Sequence, residues 1–245
     1  MTIRHAMIFA AGRGTRMRPL TDTTPKPLLK VGGRMLIEYH LDKLGRAGVR
    51  EVVINTSYLA GQFPTALGDG ARWNLHIRYS HEGPQALDTG GGMLHALPLL
   101  GSDAFIAVNG DVWTDFDFSG LQLAPGRLAD LVLIDNPPQH PRGDFGIDGA
   151  GHLQAWADSS ASGALRALTF AGIGVYRPQL FADWRRHVGD PPGADAKPPR
   201  FSIVPLLRAL MPAGGVTWQY HAGEWADVGT PERLAALDDA LQPRR

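Results

Sequence analysis

AAGRGTRMRPLTDTTPKPLL, residues 10–29, sets glycines, three arginines and a single lysine flanked by prolines directly behind a short apolar run. That run, AMIFA at 6–10, leads into the glycines as a buried strand leads into a loop. Gly12 and Gly14 let the backbone turn sharply and approach a ligand, and successive N–H groups there can point at an anion. Rossmann dinucleotide sites begin in the same way. They also call for a third glycine three positions after the second and an acid near the end of the second strand, where Met17 and Asn55 stand here. No Gly-Lys pair occurs, so a Walker A loop is absent. Pro25 and Pro27 fix φ on both sides of Lys26, which places this lysine on stiffened backbone. A solvated lysine in a proline-rich turn is the plainer alternative, and the anion-ready loop just upstream weighs against it.

Outward from this stretch, strands alternate with helices. MLIEYHLDKLGRAG puts Leu36, Ile37, His40, Leu41, Leu44 and Ala47 at helical spacing, with Gly48 to end the helix. EVVINT (51–56) reads as a strand, 58–67 as a helix, LHIRYS (75–80) as a strand, 90–100 as a helix, and AFIAVN (104–109) and ADLVLIDN (129–136) as strands. This rhythm predicts an α/β fold with a Rossmann-like, doubly wound sheet. After residue 136 the pattern loosens: NPPQHPRGDFG is a turn-rich connector, and short strands follow at GHLQAW and LTFAGIGVY, so the sheet is expected to be mixed but mostly parallel. GDPPGADAKPPR (189–200) reads as an exposed, mobile loop. TPERLAALDDAL closes the chain as a helix with Thr230 as N-cap and Pro231 in its first turn. No internal repeat and no hexapeptide array of a β-helix is visible, so residues 1–245 are expected to form a single domain.

Lys plus Arg and Asp plus Glu both number 24, which leaves no global field to attract nucleic acid or an anionic membrane. Any basic site is local. With no cysteine, disulfides, thiolate catalysis and cysteine-type zinc sites are excluded. MTIRHAMIFAAG carries too short an apolar run for a secretory signal, and no segment approaches the roughly 20 apolar residues of a membrane span, so a soluble cytoplasmic protein is expected. The nine His show no metal-ligand spacing, and zinc is not expected.

The glycine loop with its lysine resembles the signature of the sugar-1-phosphate nucleotidyltransferases, which join a sugar phosphate to a nucleoside triphosphate and release pyrophosphate. VNGDVWTDFDF and WADVGTPERL resemble the two elements that carry the metal-binding aspartates of that family, in the same order along the chain. EGPQALDTGGGM (82–93), NGDVWTDFDF (109–118) and HPRGDFGI (140–147) resemble the branch that uses UTP and N-acetylmuramate α-1-phosphate in cell-wall recycling. Common relatives read the base with a Gln-x-x-Pro-x-Gly-Leu-Ala-Gln-Ala segment. This chain has Glu82 at its start and Thr89-Gly90-Gly91-Gly92 at its end, and AWADSSASGA stands where many relatives carry a sugar-holding Glu-Lys-Pro.

The resemblance implies the nucleotide-diphospho-sugar transferase fold, without a β-helix extension. A nucleotide-binding half is expected at 1–136, with a sugar-binding half and closing helices at 137–245. The implied substrates are UTP and a sugar 1-phosphate, with Mg²⁺ as cofactor on Asp111 and Asp227. Asp111 follows the strand AFIAVN, where ligands sit in such sheets, and Asp227 is expected to follow VTWQYHA in the same manner. The backbone of Ala11, Gly12, Arg13, Gly14 and Thr15 would cradle the triphosphate, with Arg16 and Lys26 as the catalytic cations. Glu82, Thr89 and Gly91 would lie near the nucleobase, and Asn109, Asp144 and Gly172 near the sugar. For Asp144, a turn acid in RGDFG is an equal alternative, and Asp115 and Asp117 read as surface or capping residues. The oligomeric expectation is a monomer or small homo-oligomer. Glucose or mannose 1-phosphate with UTP, dTTP or GTP is the alternative substrate set. A silent nucleotide-sugar sensor is the alternative of a different class, against which the presence of Lys26, Asp111 and Asp227 speaks.

Overall fold

The computed structural model describes residues 2–155 and 166–242. In chain order the strands are β1 (His5–Phe9), β2 (Lys30–Val31), β3 (Arg34–Met35), β4 (Glu51–Thr56), β5 (His76–His81), β6 (Phe105–Asn109), β7 (Val112–Thr114), β8 (Ala129–Ile134), β9 (Phe145–Ile147), β10 (Leu153–Ala155), β11 (Arg166–Tyr176), β12 (Val216–Tyr220) and β13 (Trp225–Asp227). The α-helices are α1 (Leu20–Thr23), α2 (Leu36–Arg46), α3 (Gln62–Leu67), α4 (Asp88–Leu100), α5 (Trp184–Val188), α6 (Val204–Leu210) and α7 (Pro231–Leu241).

A nine-stranded sheet runs β10-β9-β11-β6-β1-β4-β5, with β8 on the free side of β11 and β12 beyond β8. β6, β1, β4 and β5 are mutually parallel, as are β8 and β12, while β11 and the short β10 run against the rest. The strands read as near-continuous apolar runs because both faces are covered. Ala6, Ile8, Val52, Ile54, Ile106 and Val108 face one way, against Ile37, Leu41 and Leu44 of α2 and Phe63 and Leu67 of α3. Met7, Val53, Phe105 and Ala107 face the other way, against Met93, Ala96 and Leu100 of α4 and Leu206 and Leu207 of α6. Each such fully buried aliphatic side chain contributes about 1.5–3 kcal/mol. The expected doubly wound, mixed and mostly parallel sheet is what forms.

Two expectations, on the helix at 58–67 and on Asp227, are corrected. The helix expected at 58–67 is only α3, because Leu59 takes a left-handed backbone (φ +52) and the chain turns before it can wind. The 189–200 segment is an irregular loop exposed over much of its length, as expected, with a few contacts that hold it. Ala194 is buried, Arg200 N–H donates to Gly193 O, and the adjoining Phe201 N–H donates to Leu87 O and stacks on Trp184 at 4.3 Å. Asp227 does not follow VTWQYHA directly. It ends a separate short strand, β13, that pairs antiparallel with β7. Trp156 of the expected GHLQAW strand lies outside the described residues. No helix among the described residues is long and apolar enough to cross a membrane.

Candidate active site

The carboxyl ends of β6, β1, β4 and β5 lie side by side, so the segments that leave them share one edge. Ligands of open α/β sheets bind there. From β1, Ala10, Ala11, Gly12, Gly14 and Thr15 line a cavity of about 370 Å³, together with Arg16 and Lys26. Gly14 has φ +62, the left-handed region that favours glycine, and its carbonyl accepts the Thr21 hydroxyl at 2.8 Å and the Met17 N–H at 2.8 Å. Among the described residues no protein group accepts a hydrogen bond from the N–H groups of residues 11–15. A row of unpaired N–H groups beside two cations is built for a polyanion. Arg13 does not line the cavity: its guanidinium lies over the Tyr58 ring, 5.2 Å from the centroid.

Lys26 is buried between its prolines, and its Nζ meets Asp111 Oδ2 at 2.6 Å. Asp111 stands just after β6, where Gly110 crosses the end of β1. A Cβ on Gly110 would lie 2.6 Å from Phe9 O, so the turn at Asn109-Gly110-Asp111 requires glycine. Asp227 reaches the same place from the far end of the chain. β13 pairs Asp227 with Val112, and Val228 N–H donates to Asp111 O at 3.0 Å. Both acids border a second cavity of about 240 Å³ that meets the first at Asn109 and Asp111. Asp227 is held by Arg233, whose Nη1 donates to its Oδ2 at 2.8 Å.

Two carboxylates facing one cavity suit a hard cation that takes its remaining ligands from water and phosphate. Among the described residues no group of three or more His, Asp or Glu could hold a metal by itself. Asp111 and Asp227, paired here with Lys26 and Arg233, are the acids of this edge that could hold Mg²⁺ jointly with a substrate.

Asn109, Asp144 and Gly172 all line the second cavity. Gly172 has φ +75, and a Cβ there would meet the Asn109 carboxamide at 2.7 Å. The Asp144 carboxylate already holds His140 Nε2 at 3.0 Å and accepts the Phe170 N–H at 2.8 Å. Asp117 caps the turn that follows it, accepting the Ser119 N–H. Glu82 and Thr89 line the first cavity. Glu82 is buried, which pushes its carboxyl above the usual carboxylate range, while donors from Leu87 N–H and Asn55 oppose that shift. The Thr89 hydroxyl accepts the Ile203 N–H. Gly91 is placed apart from the cavity, contrary to expectation: its N–H donates to Phe201 O, and a Cβ would lie 2.4 Å from Pro199 O. It makes room for the strap at 199–203.

Sequence reasoning passed over three residues of this edge. Asn55 registered only as the residue standing where a dinucleotide site would need an acid, although a polar side chain near the end of an apolar strand was the signal. Arg233 lies in the first turn of α7, where a cation is unfavourable next to the helix N-terminus unless an acid holds it. Asp88 is a non-glycine residue at φ +64 beside the first cavity, and nothing in its sequence neighbourhood reveals that.

The family model described as nucleotidyl transferase matches residues 5–154. An N-acetylmuramate alpha-1-phosphate uridylyltransferase of Neisseria meningitidis is 46% identical over 94% of both chains. A protein of the same name from Caulobacter vibrioides is 33% identical over 96% of both. The crystal structure of a Bacillus anthracis protein described as a glucose-1-phosphate thymidylyltransferase superposes with a TM-score of 0.78 over 99% of this chain and 96% of that one, at 19% identity, and so shares the fold. With this fold, and with relatives matched along nearly its whole length, the chain belongs to the nucleotidyl transferase family.

Proposed function

We propose that this protein transfers UMP from UTP to N-acetylmuramate α-1-phosphate, giving UDP-N-acetylmuramate and pyrophosphate, with Mg²⁺ held by Asp111 and Asp227. The carrying observation is the row of unpaired N–H groups at 11–15 in a cavity that joins, at Asp111, a second cavity bordered by two acids. The choice of muramate and UTP rests on the two relatives of that name.

A phosphate oxygen of the sugar 1-phosphate bonds to the α-phosphorus of UTP as the bond from that phosphorus to the bridging oxygen breaks, and pyrophosphate leaves with the electron pair. The second pKa of a phosphate monoester lies near ~6, so the nucleophile is largely dianionic at neutral pH and no side chain need take a proton from it. What the protein supplies is approach and charge. The N–H row and Arg16 hold the β- and γ-phosphates and stabilise the leaving group. Lys26, paired with Asp111 at the junction of the two cavities, neutralises the α-phosphate and the incoming phosphate. Asn109 and Asp144 orient the sugar. Mg²⁺, when bound, supplies Lewis-acid stabilisation of phosphoryl oxygens. Arg233 fixes the Asp227 carboxylate. With these substrates we assign the reaction to the cytoplasm, as a step of peptidoglycan recycling.

Pyrophosphate release with UTP, N-acetylmuramate 1-phosphate and Mg²⁺, compared with glucose and mannose 1-phosphates and with dTTP and GTP, tests this reading. Greatest kcat/KM for the muramate and UTP pair is expected, and preference for another sugar or base overturns the specificity. Binding of UTP without turnover of any pair would point to a sensor.

A further inference from the structure

Asn55, the last residue but one of β4, is only 2% exposed, yet its carboxamide is shared between two loops. Its Oδ1 accepts the Ala10 N–H at 2.7 Å, at the root of the glycine loop. Its Nδ2 donates to Glu82 Oε1 at 2.7 Å. The other Glu82 oxygen accepts the Leu87 N–H at 2.7 Å, one residue before α4. A buried hydrogen-bond chain thus crosses the carboxyl ends of β1, β4 and β5 and reaches the start of α4. Gly92 on α4 leaves space for it: a Cβ there would lie 2.6 Å from Glu82 Oε1 and 3.0 Å from Asn55 Nδ2.

We propose that Asn55 is a positioning residue for nucleotide binding: anchored by Glu82, its carboxamide fixes Ala10 and with it the direction of the N–H row at residues 11–15. This rests on the reading of that row as the triphosphate cradle. Among the described residues the N–H groups of the row find no acceptor, so their direction is set at the two ends of the row. At one end Gly14 O takes the Thr21 hydroxyl and the Met17 N–H. At the other end stands the Asn55 carboxamide. The same chain ties Leu87, beside Asp88 and Thr89 of the first cavity, to the loop that holds the phosphates, so the two sides of the nucleotide site share one buried anchor.

The direction of the hydrogen bonds also explains why an amide faces a carboxylate. Ala10 and Leu87 both present N–H donors, so the two side chains between them need exactly one internal donor, and one amide plus one carboxylate provide it. Exchanging the two groups preserves every bond. In N55D/E82Q the new carboxylate accepts from Ala10 and from the new amide, which accepts from Leu87. N55D alone sets two carboxylates face to face. E82Q alone offers a single carbonyl for two donors, which leaves one buried donor unpaired.

The test is steady-state kinetics and UTP binding for N55D, E82Q and N55D/E82Q, with melting temperatures measured alongside. In each single variant KM and Kd for UTP are expected to rise roughly tenfold or more, with kcat changed less and KM for the sugar phosphate held. The double variant is expected to return KM for UTP to within about threefold of wild type. A double variant that fails to fold, or that folds while KM stays as high as in the worse single variant, overturns the proposal. So do single variants with unchanged KM for UTP. A double variant with wild-type stability that prefers another base would assign Glu82 to base reading instead, and would also overturn it. Failure of the cradle reading looks different: the wild type would bind no nucleoside triphosphate at all.

Discussion

Lys26 lines the first cavity, buried against Asp111 at 2.6 Å, and Asp111 borders both cavities; in the proposed reaction the lysine charge sits close to where the two phosphates meet. Lys26→Ala is expected to lower kcat about 10² to 10³-fold, the usual loss for one preorganised charge, with the melting temperature changed little; near-normal turnover would remove the lysine from the mechanism. His40 carries a different consequence. It is fully buried, stacked on Phe118, and its Nε2–H donates to Val112 O at 2.8 Å. Burial, assisted by nearby Lys43, lowers its pKa to about 4, against the pull of the Val112 carbonyl and Asp111. The folded state therefore resists a proton that the unfolded chain accepts from pH ~6.5 downward. Stability from this residue is complete above pH ~6.5 and falls as pH drops toward 4, by up to about 3 kcal/mol. Urea unfolding of His40→Gln between pH 7.5 and 4.5 is expected to show a shallower decline than wild type; parallel curves would contradict this.

Among the elements, the ribbon β7–β13 and helix α7 decide where the second acid sits. The Thr230 hydroxyl accepts the Arg233 N–H at 3.4 Å, and the same Arg233 carries its guanidinium back to Asp227. Cap and ion pair thus share one residue. Thr230→Ala is expected to cost about 1 kcal/mol in unfolding free energy with little change in KM. Arg233→Ala should instead lower activity or apparent metal affinity about 10- to 100-fold, as loss of a partner to a ligating carboxylate does; metal titrations of activity and of Mn²⁺ binding check it. The cap was legible in TPERL because N-cap chemistry is local. Its partner was not, since Asp227 is reached only by folding α7 back on the ribbon.

For the whole molecule, the site draws on β1, β4, β5 and β6 of the nine-stranded sheet and on β13 of the separate ribbon, so a nucleotide bound there would be coupled to both. UTP with Mg²⁺ at about 100 times its Kd should add about 2.7 kcal/mol to folding stability, which for a chain of this size raises Tm by roughly 5–10 °C. Thermal melts with and without UTP and Mg²⁺ check this, and a much smaller rise is expected for Lys26→Ala. The sequence by itself determined the alternation of apolar strands and amphipathic helices, the glycine loop and the stiffened lysine, because these depend on neighbours a few residues apart and on burial that a strand such as ADLVLI carries in its own composition. Only the tertiary structure decided that Asp227 arrives on a short antiparallel strand, that Gly91 serves the strap rather than the cavity, and that Asn55 and Glu82 form one buried chain. Those contacts join residues tens to more than a hundred positions apart, and hydrogen bonds of such separation leave no periodic trace in the chain that makes them.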